Sequence, residues 1–254
     1  MRAVYLVVLA AVLSAATPHI AAAQLNVEGT EFVLTTGDGR TLRSADLVGA
    51  TLQIGAGDDE IALTTESVEE DPEAVGGRVF LHHFVVIDGR GGSDFCTPDA
   101  QGRSLGFPVP NEQGGFDLTC TSGAIGKCIR WGYRPWEEEP GGPPMRDLHQ
   151  ACIFMVRADY GGDGSTHTRD GTLIVYCDRF GINSCEGEGA MAFEAAWGTD
   201  GAACVARPRI PELVSLEQLR KRYPRLADRL GPAACSEERA MQNRGAMLFN
   251  RSRE

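Results

Sequence analysis

No C-x-x-C pair occurs in this 254-residue chain, and its five histidines are scattered, so a zinc site lacks its usual ligand spacing. No apolar run approaches the roughly 20 residues that a membrane-spanning helix needs. The longest, Val4 to Ala16, is interrupted soon afterwards by Pro18 and His19. Basic surplus is also missing. With a formal charge of -11, the chain is a poor nucleic-acid binder, because neutralising phosphates requires a basic surface. Finally, no stretch completes a catalytic, metal or cofactor template, and no cofactor is implied.

What is present begins with an export signal. Arg2 precedes the apolar run, and Ala21-Ala22-Ala23 places small residues before Gln24. This reads as a secretory signal peptide over residues 1–23, removed after Ala23. No cysteine follows at the cleavage point, so a lipid anchor is not expected. Loss of the leader removes one basic residue and takes the charge from -11 to -12. All eight cysteines (Cys96, Cys120, Cys128, Cys152, Cys177, Cys185, Cys204 and Cys235) lie in the mature chain, and four disulfides are the expectation. Short loops favour Cys120 with Cys128 and Cys177 with Cys185.

The remaining chain suits an α+β fold, mainly antiparallel β-strands with a central helix and C-terminal helices. Short strand-like pieces between Gly/Asp turns suggest a β-rich N-terminal extension over 24–77, whose end, Glu66 to Gly77, lacks periodicity and reads as a linker or long loop. A disulfide-rich domain over 78–254 follows. Val79 to Ile87 is apolar on both faces and predicts a central strand. His82 and His83, being adjacent on it, face opposite sides and cannot share a metal. Met145, Leu148, Cys152, Met155 and Val156 recur at helical spacing, with Gly161-Gly162 as the expected stop. Strands are predicted at Thr172–Cys177, Ala190–Trp197 and Ala202–Arg207. Helical stripes follow from Leu213 to Tyr223, at Leu226 to Leu230 and over Ser236 to Asn243.

Two stretches concentrate chemistry. In the first, from Arg157 to Gly171, Asp159, Asp163, His167 and Asp170 stand near Arg157 and Arg169. Cys152, His167 and Asp170 follow the order of a thiol hydrolase, but Cys152 lies on an apolar face among cysteines expected to be oxidised. Asp159, Asp163, Ser165 and Asp170 offer hard oxygens for calcium, but the EF-hand register fails. Asp159, His167 and Asp170 with Arg157 or Arg169 suit acid/base hydrolysis. The same side chains also build ordinary loops by bonding nearby backbone amides. In the second stretch, Trp131, Tyr133 and Trp136 interleave with Arg130 and Arg134. That pattern either stacks a sugar or anionic glycan or packs on the core beneath its arginines.

Several segments together resemble a known family. Gly126-Lys127-Cys128-Ile129-Arg130-Trp131-Gly132-Tyr133-Arg134-Pro135-Trp136 is followed by Leu148-His149-Gln150-Ala151-Cys152. Met155-Val156-Arg157-Ala158-Asp159-Tyr160, Gly162-Asp163-Gly164 and His167-Thr168-Arg169-Asp170-Gly171 come next, then Phe193-Glu194-Ala195-Ala196-Trp197 and Ala203-Cys204-Val205. In this order, over roughly Val79 to Ser252, they resemble the bacterial ADYC-domain family. The resemblance implies an exported bacterial protein and carries no assigned activity. Gly161 stands where the family's motif would place a cysteine, which leaves Cys177 or Cys185 to compensate. The sequence favours a non-catalytic binding or envelope-associated domain, its partner an envelope glycan or another exported protein. The second reading is an extracytoplasmic hydrolase using His167 with Asp159, Asp163 or Asp170 and Arg157.

Overall fold

A computed structural model describes residues 24–55, 61–88, 91–138, 142–185 and 191–253. The expected leader, and parts of the turns at 88–90 and 140–144, lie outside them.

The described residues open with a three-stranded antiparallel meander of β1 (Gln24–Glu28), β2 (Glu31–Thr35) and β3 (Thr41–Arg43). A larger sheet follows, made of β4 (Thr51–Ile54), β5 (Ile61–Glu70), β6 (Phe80–Asp88), β7 (Gly91–Asp94), β8 (Leu105–Pro110) and β9 (Phe116–Cys120). Its order is β4-β5-β6-β8-β9, with β7 pairing the far end of β6. The expected strand at Val79–Ile87 is therefore the hub. Its backbone pairs with β5 and β8 on either side and with β7 at its C-terminal end, and its apolar side chains then supply core.

Of the stretch expected as a linker or long loop, only Asp71 to Gly77 is loop. Glu66 to Glu70 belong to β5, which passes a bulge at Thr65/Ser67 and pairs with His83 to Phe80. Its acids give no apolar signal because they face solvent, while Leu63 and Thr65 point inward. Leu63 joins Phe32, Leu47 and Phe84 in a core shared by the meander and the large sheet. His82 is buried in that region, its Nε2 2.8 Å from Ser44 Oγ. His83, on the opposite face, lies against Asp94 and Glu66 at 2.8 and 3.2 Å.

The second half adds α1 (Ala124–Arg130), α2 (Met145–Arg157), β10 (Ile174–Asp178), β11 (Ala192–Gly198), β12 (Gly201–Val205), α3 (Leu216–Arg222), α4 (Glu237–Gln242) and β13 (Leu248–Ser252). The last sheet runs antiparallel in the order β10-β13-β11-β12. The face of α2 bearing Met145, Leu148, Cys152 and Met155 is buried with Trp197, Val205 and Leu248. Ser215 caps α3 with a capping box, and Ser236 caps α4. Tyr223 and Pro224 end α3 as expected, and only a 3-10 turn, Pro224–Leu226, follows. The resulting fold is α+β and mainly β.

Two elements escape the sequence pattern. Strand β13 lies between β10 and β11, yet Asn250 and Arg251 interrupt its apolar alternation. Helix α1 is short, and its Gly126 sits so close to the Cys120 carbonyl that a Cβ there would stand 2.2 Å away. The stop of α2 is also different from expectation. The left-handed cap residue is Ala158, at φ 50°, while Gly161 and Gly162 lie beyond it.

All eight cysteines are paired, as Cys96–Cys120, Cys128–Cys152, Cys177–Cys185 and Cys204–Cys235. Cys177 with Cys185 follows the short-loop expectation, whereas Cys120 with Cys128 does not. Cys128 is buried on the face of α1 that packs against α2, which brings it to Cys152. Cys120 ends β9 opposite Gly106 of β8, where Cys96 Sγ approaches. The bridges point to maturation in an oxidising compartment. Among the described residues no helix is long and apolar enough to cross a membrane.

Candidate functional site

Where α2 ends, its last turn leaves carbonyls without helical donors, a general consequence of helix geometry. Ala158 N and Asp159 N turn back to the Met155 and Phe154 carbonyls, at 3.2 and 2.8 Å. The Arg209 guanidinium adds a second donor to Met155 O at 2.6 Å and takes the Val156 carbonyl at 2.8 Å. The left-handed turn at Ala158 then aims Asp159 inward. Its carboxylate accepts from three successive amides, Gly162 N (2.9 Å), Asp163 N (3.2 Å) and Gly164 N (2.8 Å). Gly162 is required there, since its φ is +72° and a Cβ would lie 2.5 Å from the Asp200 carbonyl.

The rest of the polar run completes this loop. Arg157 donates to Gly164 O at 2.7 Å and to Thr166 Oγ1 at 3.2 Å. His167 is buried, and its Nδ1 donates to the Ala158 carbonyl at 3.0 Å, which sets the tautomer. No carboxylate among the described residues comes within bonding reach of His167. Asp170 lies exposed in the following loop. Asp163 accepts from Arg222 (2.9 Å) and Tyr223 (3.1 Å), and the hydrogen bond with Ser165 leads in holding its carboxyl down at about 2. Among the described residues no cluster of three or more His, Cys, Asp or Glu is placed to hold a metal. Cys152 is bonded to Cys128 and has no thiolate to offer.

Tyr160 enters the core. Its ring stacks on Trp197 with centroids 5.3 Å apart, and its hydroxyl donates to Glu194 Oε1 at 3.0 Å while accepting from Arg209 N at 2.7 Å. Glu194 Oε2 accepts from Arg209 Nε (3.0 Å) and from Asn250 Nδ2 (2.8 Å), and Asn250 Oδ1 accepts from Trp197 Nε1 (2.8 Å). Every member is buried. Burial, before any charge effect, pushes the Tyr160 hydroxyl well above its ordinary pKa. This network ties α2 to β11, β13 and the segment after β12. Sequence reading missed Glu194, Arg209 and Asn250 because nothing local marks them as partners of Tyr160. Gly161 has a physical explanation here, since a Cβ there would stand 2.2 Å from two Tyr223 ring carbons. Cys177 and Cys185, the compensators considered for a missing cysteine, bond each other.

The aromatic and arginine stretch divides among several tasks. Trp131 stacks on Tyr176 with centroids 4.0 Å apart, and Trp136 covers Gly29. Arg130 pairs with buried Asp71 and with Glu73. Tyr133 donates to Asp178 at 3.0 Å, and Asp178 accepts from Phe180, Ile182 and Asn183 amides, which shapes the loop closed by Cys177–Cys185. Arg134 donates to the Val75 and Gly77 carbonyls and lies along a cavity of about 300 Å3. Of the five residues considered for ligand stacking, Arg134 is the one that lines this cavity.

Two histidines make stability depend on pH. Burial pushes His82 and His149 down to about 4, although His149 Nδ1 donates to the Tyr133 carbonyl at 2.8 Å. Unfolded histidine titrates near 6.5, so between about pH 6.5 and 4 the unfolded chain binds protons that the folded chain refuses. Stability is therefore fully present above 6.5 and declines as pH falls to about 4, by up to about 3 kcal/mol per histidine. Urea midpoints at pH 7 and 4.5 measure it, and His149→Asn should flatten the decline. A variant as acid-sensitive as the wild type would rule out His149 as a source.

The fold and its networks define a disulfide-stapled, mainly β α+β domain in which the Ala158-Asp159-Tyr160 segment joins a helix end to a sheet. The chain belongs to the ADYC domain family, whose model matches residues 44–211. The match begins at Ser44, upstream of the segments that carried the sequence resemblance. No curated protein and no solved structure matches the chain.

Proposed function

We propose that this protein is an exported, non-catalytic binding or envelope-associated domain, with its Ala158-Asp159-Tyr160 signature serving as internal scaffold. One observation carries the reading: Asp159 accepts three backbone amides and is buried, so its carboxylate is engaged by its own loop and shut off from solvent. Support comes also from His167, which faces a main-chain carbonyl and lacks the carboxylate that would orient a general base. The leader over residues 1–23 and the four bridges favour export. Partners of the class suggested by the sequence are an envelope glycan or another exported protein.

The competing hydrolase reading is open to direct measurement. Purified mature protein and the His167→Gln variant are incubated with peptidoglycan, with peptides and with a chromogenic ester. Equal, background rates are expected from both. Turnover that disappears in a folded His167→Gln protein would reverse the assignment.

A further inference from the structure

The cavity beside Arg134 opens where the Val75–Gly76 loop, the Gly132–Glu137 turn, the first residue of α2 and the Phe180–Ile182 loop meet. At about 300 Å3 it has room for far more than a water, whose share of liquid volume is roughly 30 Å3. Its exposed surface is mainly polar, with Arg134 and Glu137 supplying adjacent opposite charges and Val75, Phe180 and Ile182 a smaller apolar patch.

The guanidinium is poorly satisfied for so buried a cation. Its side chain is 2% exposed, against 43% for Glu137. One terminal nitrogen serves the Val75 and Gly77 carbonyls. The other meets both Glu137 oxygens at only 3.4 Å, and Nε has no partner among the described residues. Charge-assisted N–H···O bonds normally close to about 2.7–2.9 Å, so this pair is held apart rather than engaged. The 13-residue helix α2 starts at Met145, on the cavity wall, and its N-cap Pro144 provides no side-chain cap. The helix dipole adds positive potential on the same side, offset in part by Asp147 in the first turn.

We propose that this cavity binds a free α-amino acid with an apolar side chain. The ligand carboxylate lies toward Arg134 and the N-terminus of α2, drawing the loosely held Glu137 off the guanidinium. Glu137 then takes the ligand ammonium, and the side chain packs on Phe180 and Ile182. A zwitterion fits because each of its charges meets the opposite member of a pair whose own contact is long. A ligand of one charge would leave the other member worse satisfied. The proposal rests on the reading of the protein as a binding domain and names its ligand class.

Calorimetric titration of the mature protein with leucine, methionine and phenylalanine tests it, with 4-methylpentanoate and isopentylamine as single-charge controls. At least one amino acid should bind at one site per chain, tenfold or more tighter than both controls. Glu137→Gln should weaken that binding at least tenfold; because it also removes the carboxylate beside the buried Arg134 guanidinium, the melting temperature should fall by a few degrees, and the titration is run well below it with the variant shown to be folded. No binding of any of the three at millimolar concentration overturns the proposal, as do controls that bind equally well or a Glu137→Gln protein that binds normally. None of these results touches the non-catalytic reading, which fails only on His167-dependent turnover.

Discussion

Breaking all four disulfides is expected to leave the mature chain unfolded at 25 °C. The bridges Cys96–Cys120, Cys128–Cys152 and Cys204–Cys235 close separations of 24, 24 and 31 residues. Chain-entropy reasoning assigns each about 3 to 4 kcal/mol, and the eight-residue Cys177–Cys185 loop somewhat less. Their sum rivals the roughly 5–15 kcal/mol of total stability typical of a folded domain. Cys128, Cys152 and Cys235 are buried. Reduction should therefore be carried out in denaturant, followed by alkylation at eight sites and removal of the denaturant. Far-UV circular dichroism and a thermal scan then report the outcome. A fully alkylated chain that regains a cooperative transition within about 5 °C of the oxidised protein would show that packing alone suffices.

Glu194→Ala is the single substitution expected to cost most. It strands the buried Arg209 charge and removes the acceptor of Tyr160 Oη and Asn250 Nδ2 together. Breaking one side of a buried ion pair typically costs about 3–5 kcal/mol. For a chain of this size that corresponds to a melting temperature lower by about 10 °C. Adding Arg209→Met should recover part of the loss by removing the orphaned charge. Recovery should stay incomplete, because Arg209 also holds the Met155 and Val156 carbonyls at the end of α2. A Glu194→Ala protein melting within 2 °C of wild type would mean that the network does not hold the sheet to the helix.

How much of this was legible in the residues depended on distance along the chain. The apolar stripe from Met145 to Met155 and the buried run at Val79–Ile87 could be read because helix and strand periodicities are local. The opposed faces of His82 and His83 followed for the same reason. Strand β13 was illegible because a central strand whose Asn250 is bonded to Trp197 and Glu194 tolerates polar residues that break alternation. Glu66 to Glu70 read as a linker because a half-exposed strand rich in acids resembles a loop until its partner is known. The polar run at 157–171 was visible as a concentration of donors and acceptors. Its direction was not, since Asp159 could equally have faced solvent.

Cysteine number and apolar periodicity along the chain were enough to establish a stapled, mainly β α+β domain, because those properties depend on composition and short-range spacing. Three-dimensional packing alone settled the pairing of the other six cysteines once Cys177 and Cys185 were joined by their short loop, that Tyr160 meets Glu194 and Glu194 meets Asn250, and that a cavity forms beside Arg134. The reason is physical: these contacts join residues 34 and 56 positions apart, or four separate chain segments, and no local preference encodes where distant segments will meet.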